Sequence, residues 1–392
     1  MGLKKKPTTG MRDILPEEMK IREYVLSVIR KTYEEYGFMQ IETPAVEHIE
    51  NLTDGHGGEN EKLIFKILKR GNKLNLDIAK NESDIVDGGL RFDLTLPLSR
   101  FYAEHISELP SPFKAIQMGN VWRADRPQRG RFRQFMQCDI DILGEPSYIA
   151  ETELINAMST LLGRLDFSGF VIRINDRRIL TGIAAWCGFP EERWDEVFIN
   201  LDKLDKIGIQ GVREDLVVAG FEDESVNKCI DIFYEKNSDT DEKSTKEALE
   251  TSGIERLKSL ADTLGDSLEP SVSENLLDII ETVESVRESD FGIVFDPTLV
   301  RGMSYYTGPI FEIAMDEYGG SVGGGGRYDE MIGGFAGTPT PACGFSIGFE
   351  RIVMLLMERG YQVKNESKKY AILLDKKCSK DQVKKAAKRA VE

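Results

Sequence analysis

From Glu17 toward Tyr36, apolar side chains recur at Ile21, Tyr24, Val25, Val28 and Ile29. Spacing by three and four predicts an amphipathic helix, opened by the turn Thr9–Pro16 and ended at Gly37. Phe38 to Glu42 alternates as a strand does, and Pro44 confines that strand to an edge or an end. Asn51 to Leu90 holds Gly55, Gly57 and Gly58 among mixed charges. It reads as a loop, then short strands at Leu63–Leu68 and Leu74–Leu76. In Leu90-Arg91-Phe92-Asp93-Leu94-Thr95-Leu96-Pro97, Thr95 is placed as an N-cap and Pro97 suits the first turn of a helix through His105. Read this way, Asp93 and Thr95 are capping groups.

The densest pattern lies at Val121–Glu145. An apolar run with Trp122 and Arg123 enters a basic turn (Arg126, Pro127, Gln128, Arg129, Gly130, Arg131) and leaves on strict alternation. Phe135, Gln137, Asp139 and Asp141 share one parity, and Met136, Cys138, Ile140 and Ile142 the other. Two alternating runs joined by Pro and Gly predict an antiparallel hairpin. One strand face then carries an aromatic, an amide and two carboxylates in a row. The plainest interpretation is a solvated polar face with a charged tip. Phe135 on that face argues against it, because a ring there needs a partner such as a purine. The arginines are also close enough together to clamp a phosphate.

Ala150–Leu165 repeats the helical period, and Phe170–Ile174 is a strand leading into a helix at Asn175–Arg178. From about Arg178 to Asp290 charge rises and helical spacing dominates, so this span is taken as an inserted helical module. Its acidic run Phe221–Glu250 is expected to be solvated and irregular. Strand character returns at Phe291–Phe295. Two dense stretches follow, LVRGMSYYTGPIFEIAM (Leu299–Met315) and SVGGGGRYDEMIGGF (Ser321–Phe335). Gly344, Ser346 and Gly348 then alternate before Glu350-Arg351 opens an apolar helix. A glycine-lined strand lets a flat ligand approach the backbone, and Arg351 is placed to stack on it. Tyr370–Leu374 reads as a strand and Asp381–Val391 as a helix.

Composition narrows the class. The 392 residues predict two or three domains. A 41% hydrophobic and 30% charged chain fits a globular protein, and no apolar run is long enough to span a bilayer, so no membrane partner is expected. MGLKKKPTTG lacks the apolar segment of a secretory signal. Five scattered cysteines without a CxxC pair, and three histidines, predict free thiols in a reducing cytoplasm and no zinc site. The net charge of −16 argues against a generic nucleic-acid coat and leaves room for a local basic patch.

VWRADRPQRGRFRQFMQCDIDILG resembles the second signature motif of the class II aminoacyl-tRNA synthetases, in the form found in histidyl-tRNA synthetases. The N-terminal helix, strand and proline resemble the first motif, and GFSIGFER the third. The resemblance covers nearly the whole chain. It implies an α+β fold: a class II synthetase-type antiparallel sheet flanked by helices, a helical insertion and the start of a C-terminal α/β domain. The expected divisions are 1–177 and 291–366 for the two parts of the catalytic core, 178–290 for the insertion, and 367–392 for the opening of an anticodon-binding domain.

The implied reaction joins L-histidine to ATP and passes the histidyl group to the 3′ end of tRNA(His), in a homodimer, with Mg²⁺ accompanying ATP. By the same resemblance Arg123 and Arg301 flank the reacting phosphate as the catalytic cations. Asp93, Thr95 and Gln137 hold the ammonium group, Asp141 and Tyr306 meet the two ring nitrogens, and Tyr305 and Tyr328 shape the cavity over Gly323–Gly326. Asp125, Arg131, Phe135 and Arg351 join Arg123 on ATP, with adenine between Phe135 and Arg351. Arg126 and Gln128 meet the tRNA acceptor end. No metal ligands are assigned. An isolated Arg301 would be a surface ion pair, and Tyr305-Tyr306 would be core packing with only one ring facing the pocket. The family's RGLDYY is RGMSYY here, so Ser304 stands in place of an aspartate that supports the Arg301 loop. Two other readings are weighed: a non-catalytic histidine sensor, like the regulatory subunit of ATP phosphoribosyltransferase, and a tRNA-sensing module of a larger protein. Retention of Arg123, Arg301, Phe135, Gln137 and Arg351 favours the enzyme.

Overall fold

The computed structural model describes residues 3–53, 60–234, 246–300, 305–363 and 372–391. Helix α1 (Pro16–Glu35) starts with proline, whose missing N–H is harmless there, and with Glu17 and Glu18 near the positive end of the helix dipole. Gly37, at φ +80°, takes the left-handed position that ends it. Of its predicted stripe Ile21, Val25 and Ile29 are buried and Tyr24 and Val28 half-buried; Leu26 and Tyr33 complete the buried face. Strand β1 (Met39–Ile41) follows.

A small antiparallel sheet comes next, built from β2 (Val46–His48), β3 (Phe65–Leu68) and β4 (Val86–Leu90) in the order β2-β4-β3, with helix α2 (Ile49–Thr53) beside it. The strand expected at Leu74–Leu76 does not form. That segment is exposed and follows a 3₁₀ turn at Gly71–Lys73. The pairing goes to Val86–Leu90 instead, whose Gly88 and Gly89 admit the close approach of Glu47 O and Leu52 that any Cβ would block. Two adjacent glycines are poor strand formers, and only this tertiary closeness explains them.

The main chain of the core then runs through α3 (Thr95–His105), β5 (Phe113–Trp122), β6 (Gln134–Leu143), α4 (Ile149–Arg164) and β7 (Phe170–Asp176). The helical segment that follows holds α5 (Arg177–Cys187), α6 (Trp194–Leu201), α7 (Leu204–Val218), α8 (Asp223–Tyr234), α9 (Lys246–Leu264) and α10 (Pro270–Val286). Asp176 opens it by accepting the Arg178 N–H at 2.8 Å, an N-cap. Residues 235–245 of the acidic run lie outside the described residues; on either side Asp223–Tyr234 and Lys246–Leu264 are helical, and in the first Val226, Cys229, Ile230 and Phe233 put a buried face under the charged one. The chain returns through β8 (Phe291–Phe295), β9 (Pro309–Met315), β10 (Gly320–Arg327), α11 (Asp329–Ala336), β11 (Ala342–Ile347) and α12 (Phe349–Glu358). Helix α13 (Lys380–Val391) lies beyond. Of the strand expected at Tyr370–Leu374, residues 370 and 371 lie outside the described residues, and 372–374 are not in strand conformation. Ile372, Leu373 and Leu374 are exposed there, with no sheet edge to cover them.

The eight strands of the large sheet run β1-β5-β6-β11-β10-β9-β7-β8. The six central strands pair antiparallel, and only the two edge pairs, β1–β5 and β7–β8, are parallel. Helices α4, α10 and α12 pack on one face. Beneath them, β6 sends Cys138, Ile140 and Ile142 into the main hydrophobic core. A buried pair fastens this layer: Arg327 of β10 donates to both oxygens of Glu151 in α4 at 2.7 and 2.8 Å. On the other face, α3 and α11 pack against Phe113, Ala115, Leu143 and Ala342 at one end, and a cleft opens beside them.

Candidate active site

The cleft has a volume of about 480 Å³. Its centre is β6, and pleating dictates which side chains enter it. Phe135, Gln137, Asp139 and Asp141 all line it, and the last three are buried. This overturns the solvated-face interpretation of the hairpin. A strand in the middle of a sheet has no water-facing side unless the cleft supplies one.

At the deep end three carboxylates converge: Asp93, Asp139 and Asp141. Asp141 accepts the Tyr328 hydroxyl on Oδ1 at 2.5 Å. Its Oδ2 is buried with no hydrogen-bond partner among the described residues. Burial raises its carboxyl to about 7; the Tyr328 hydroxyl opposes this and Asp93 adds to it. Burial, then Asp141, pushes Asp139 well above the usual carboxylate range against a hydrogen bond from Ser346. A cationic group delivered here would relieve both. Gly344 stands across from Asp141 in β11. A Cβ at Gly344 would overlap Asp141 Oδ1, so glycine is a requirement of the site.

Tyr305, Tyr306 and Tyr328 wall this end. The rings of Tyr305 and Tyr306 meet edge to face at 4.9 Å, and those of Tyr305 and Tyr328 at 6.0 Å. Both Tyr305 and Tyr306 line the cleft, whereas the core-packing alternative allowed only one to face it. They precede β9 and lie outside any strand, so alternation does not apply to them. Burial raises all three phenols, which remain neutral donors. Thr95 lines the same wall. It begins α3 rather than capping it, and the capping bond goes to Asp93, whose Oδ1 accepts the Leu96 N–H at 3.2 Å. The carboxylate is thereby aimed while it faces the cleft. Gly323, Gly324 and Gly325 of β10 form the floor.

The outer end is cationic. Arg123 donates through Nε to Phe92 O at 2.8 Å, and its guanidinium lies 5.2 Å from the Phe135 ring centroid. Half-buried, it forms no ion pair among the described residues, which leaves its two terminal nitrogens for an anion. Arg351 opens α12 against Tyr318, 5.3 Å from that ring, and donates to Ser321 O. It shares the cleft with Phe135. Arg131 is held by Asp125 at 3.0 Å. Arg126 and Gln128 are exposed on the hairpin tip and do not line the cleft. Gly130, at φ +67°, turns that tip, and Tyr318 packs against it. Arg301 and Ser304 lie outside the described residues.

Glu350 was passed over in the sequence in favour of its neighbour Arg351. It is buried and takes Arg22 at 2.6 and 2.9 Å, Arg12 at 3.0 Å and the Met136 N–H at 3.2 Å. Burial works to raise its carboxyl, and the two arginines and the N–H outweigh that and lower it. One side chain thus joins the N-terminal segment, α1, β6 and α12. Asp139, Ser346 and Glu312 also line the cleft without having been assigned a role. For Asp139 the signal was present in its parity with Gln137 and Asp141. Among the described residues no three carboxylate, thiol or imidazole groups are placed to hold a metal ion. The described residues therefore do not form a protein-held magnesium site.

A six-strand antiparallel centre with parallel edges, its cleft opening on the hairpin β5–β6, is the architecture of the class II aminoacyl-tRNA synthetases. It aligns with the crystal structure of histidyl-tRNA synthetase from Nostoc sp. PCC 7120 at a TM-score of 0.71 and 31% identity, over 92% of this chain and 77% of that one. The family profile for histidyl-tRNA synthetase matches residues 10–352, and the chain belongs to that family. A histidine–tRNA ligase of Leifsonia xyli subsp. xyli is 46% identical over 367 residues, 89% of this chain and 80% of that protein. A structure titled ATP phosphoribosyltransferase regulatory subunit/histidyl-tRNA synthetase, from Bacillus halodurans C, shares the fold at a TM-score of 0.71 with 23% identity, over 91% of this chain and 84% of that one.

Proposed function

We propose that this chain is a histidine–tRNA ligase, which activates L-histidine with ATP and transfers it to tRNA(His). The observation that carries the reading is the pair of buried acceptors on β6, Gln137 Oε1 and Asp141 Oδ2, without partners among the described residues, in one cleft with Arg123, which forms no ion pair among them. Orphaned buried acceptors await donors, and histidine brings an ammonium group and a ring N–H. A half-buried arginine awaits an anion, and ATP brings one.

In the proposed reaction a carboxylate oxygen of histidine attacks the α-phosphorus of ATP. The new P–O bond forms as the bond to the pyrophosphate oxygen breaks, and pyrophosphate leaves. Arg123 holds the α-phosphate, with Arg301 assigned to its other side by family resemblance. Fixed cations stabilise the charge that builds on the phosphoryl oxygens, and no base is needed because the nucleophile is already ionised. Phe135 and Arg351 sandwich the adenine, with Asp125 and Arg131 nearby on the nucleotide. Asp93, Thr95 and Gln137 take the ammonium, Asp141 and Tyr306 the imidazole, and Tyr305 and Tyr328 close the walls. The terminal ribose hydroxyl of the tRNA then attacks the activated carbonyl carbon and releases AMP, with Arg126 and Gln128 at the acceptor end. ATP enters with magnesium from solution, and no step is assigned to the ion.

A homodimer through α1 and β1 is part of the proposal, in keeping with the exposed Met19 and Met39 on those elements. A cytoplasmic setting accords with free, buried Cys138, Cys187, Cys229 and Cys343. The domain divisions at 177, 290 and 366 remain proposals alongside these. The test is ATP–pyrophosphate exchange with each amino acid in turn. Exchange with histidine alone supports the ligase. Histidine binding without exchange would favour the sensor reading instead.

A further inference from the structure

We propose that Asp139, with Ser346, is a positioning group that fixes the orientation of the Gln137 amide, and so sets how strongly the site demands a ligand with an ammonium group. The inference deepens the functional reading above and rests on it.

Asp139 and Ser346 are direct partners across β6 and β11. The Ser346 hydroxyl donates to Asp139 Oδ1 at 2.5 Å. Gln137, two residues along on the same face, donates its amide Nε2 to Asp139 Oδ2 at 3.2 Å and to Ser346 Oγ at 3.3 Å. A side-chain amide has one donating and one accepting end, and a carboxylate only accepts. Oδ1 of Asp139 accepts from Ser346 and Oδ2 accepts from Gln137, so the NH₂ end of the amide turns toward the pair. The carbonyl end must then point into the cleft, where Oε1 is buried with no partner among the described residues. An amide free to turn over would present either end and would accommodate a carbonyl as readily as an ammonium. Fixed this way, it presents an acceptor only, and a ligand without a donor leaves that acceptor buried and unsatisfied. Asp139 need not touch the ligand to do this.

The test compares calorimetric binding of L-histidine and of imidazolepropionate, which is histidine without its ammonium group. The wild-type protein should bind histidine at least about tenfold more tightly, the value of one charge-assisted hydrogen bond. In Asp139→Asn the neighbour can donate as well as accept, so the Gln137 amide can turn. Histidine should weaken about tenfold while imidazolepropionate changes little, and the preference should collapse. Ser346→Ala should move the ratio in the same direction by less, and it keeps the test valid if the first variant fails to fold. In a Gln137→Leu background, Asp139→Asn should alter histidine binding less than about twofold, because a residue acting through Gln137 has nothing left to act on. An unchanged ratio in Asp139→Asn, or an equal fall for both ligands, would overturn the inference alone. So would a full effect persisting in the Gln137→Leu background, which would mean that Asp139 acts by its own charge. A wild-type protein that binds neither ligand would overturn the functional reading and the inference together.

Discussion

Replacing Asp141 by asparagine should make the empty protein more stable and the histidine site worse, and the two effects should separate by pH. Asp141 is 2% exposed and its carboxyl is raised from an ordinary 3.8 to about 7. A shift of roughly 3 units corresponds to on the order of 4 kcal/mol of differential stability. The folded-state value lies above the unfolded one, so the associated stability is complete below about 3.8 and is lost as pH rises through about 7. At pH 8 the empty protein therefore carries a buried, destabilising charge that asparagine lacks. Against this, the new amide N–H groups are buried without a sure acceptor, at about 1–3 kcal/mol. The Tyr328 hydroxyl keeps an oxygen to donate to. The net gain at pH 8 is about 1–3 kcal/mol, and each kcal/mol is about 2–4 °C in Tm for a chain of this size or somewhat less. At pH 5 wild-type Asp141 is already protonated, so the variant should be no more stable than wild type and can be slightly less so. Thermal unfolding without ligand at pH 5 and pH 8 checks this. In parallel, calorimetry should show histidine binding weakened roughly 10–100-fold at pH 8, from loss of a charge-assisted bond to the ring. A Tm difference of the same sign and size at both pH values would refute the argument. It would mean that the carboxylate is solvated, or paired, in the empty cleft.

Three further outcomes follow from the same geometry. Arg123→Gln should lower histidine-dependent pyrophosphate exchange by about 10²–10³-fold while calorimetric histidine binding stays within a few-fold, since the lost cation acts on the phosphate. Gly344→Ala should abolish detectable histidine binding by driving its Cβ into Asp141 Oδ1, and binding within tenfold of wild type would show that β11 can move aside. Glu350→Gln leaves Arg12 on Glu18 but leaves Arg22 with only the 3.6 Å contact to Glu18, and denaturant unfolding should report a loss of about 3 kcal/mol, against under 1 kcal/mol for an ordinary surface change.

The legible part of this fold is the part governed by period. The stripe of α1, the alternation of β6 and the glycine–serine alternation ahead of Arg351 each located an element and the face it buries. On β6 the parity grouped Gln137, Asp139 and Asp141 on one face, and the sheet order, which makes β6 a central strand, is what turns that face into a cleft lining. What escaped the sequence was set by contacts between distant segments. Val86–Leu90 pairs as a strand because Glu47 and Leu52 close on its glycines, and nothing local in VDGGL signals it. Glu350 joins Arg12, Arg22 and Met136, residues more than 200 positions away in the chain. The capping bond at α3 fell to Asp93 instead of Thr95 because the helix begins one residue earlier than the pattern suggests, with Leu94 at the N-cap.

The same strand face also explains why one cleft can hold two substrates of unlike charge. Residues of one parity advance about 6.6 Å per step along a strand, so Phe135 and Asp141 are separated by about 20 Å of β6. Arg123 and Arg351 stand at the Phe135 end, and Asp93, Asp139 and Asp141 at the other. Charge is thus sorted along a single line: cations where phosphates would lie, carboxylates where an ammonium and an imidazole would lie. Gln137, neutral and fixed by its neighbours, sits between. An amino acid lying along this line with its ammonium toward the acids points its own carboxylate at the cationic end, which is the direction of attack on the α-phosphate. Reversed, the same ligand would set its carboxylate against three acidic side chains in a buried site where Coulomb repulsion is little screened. Electrostatics alone therefore selects the reactive orientation, before any contact to the ring selects histidine.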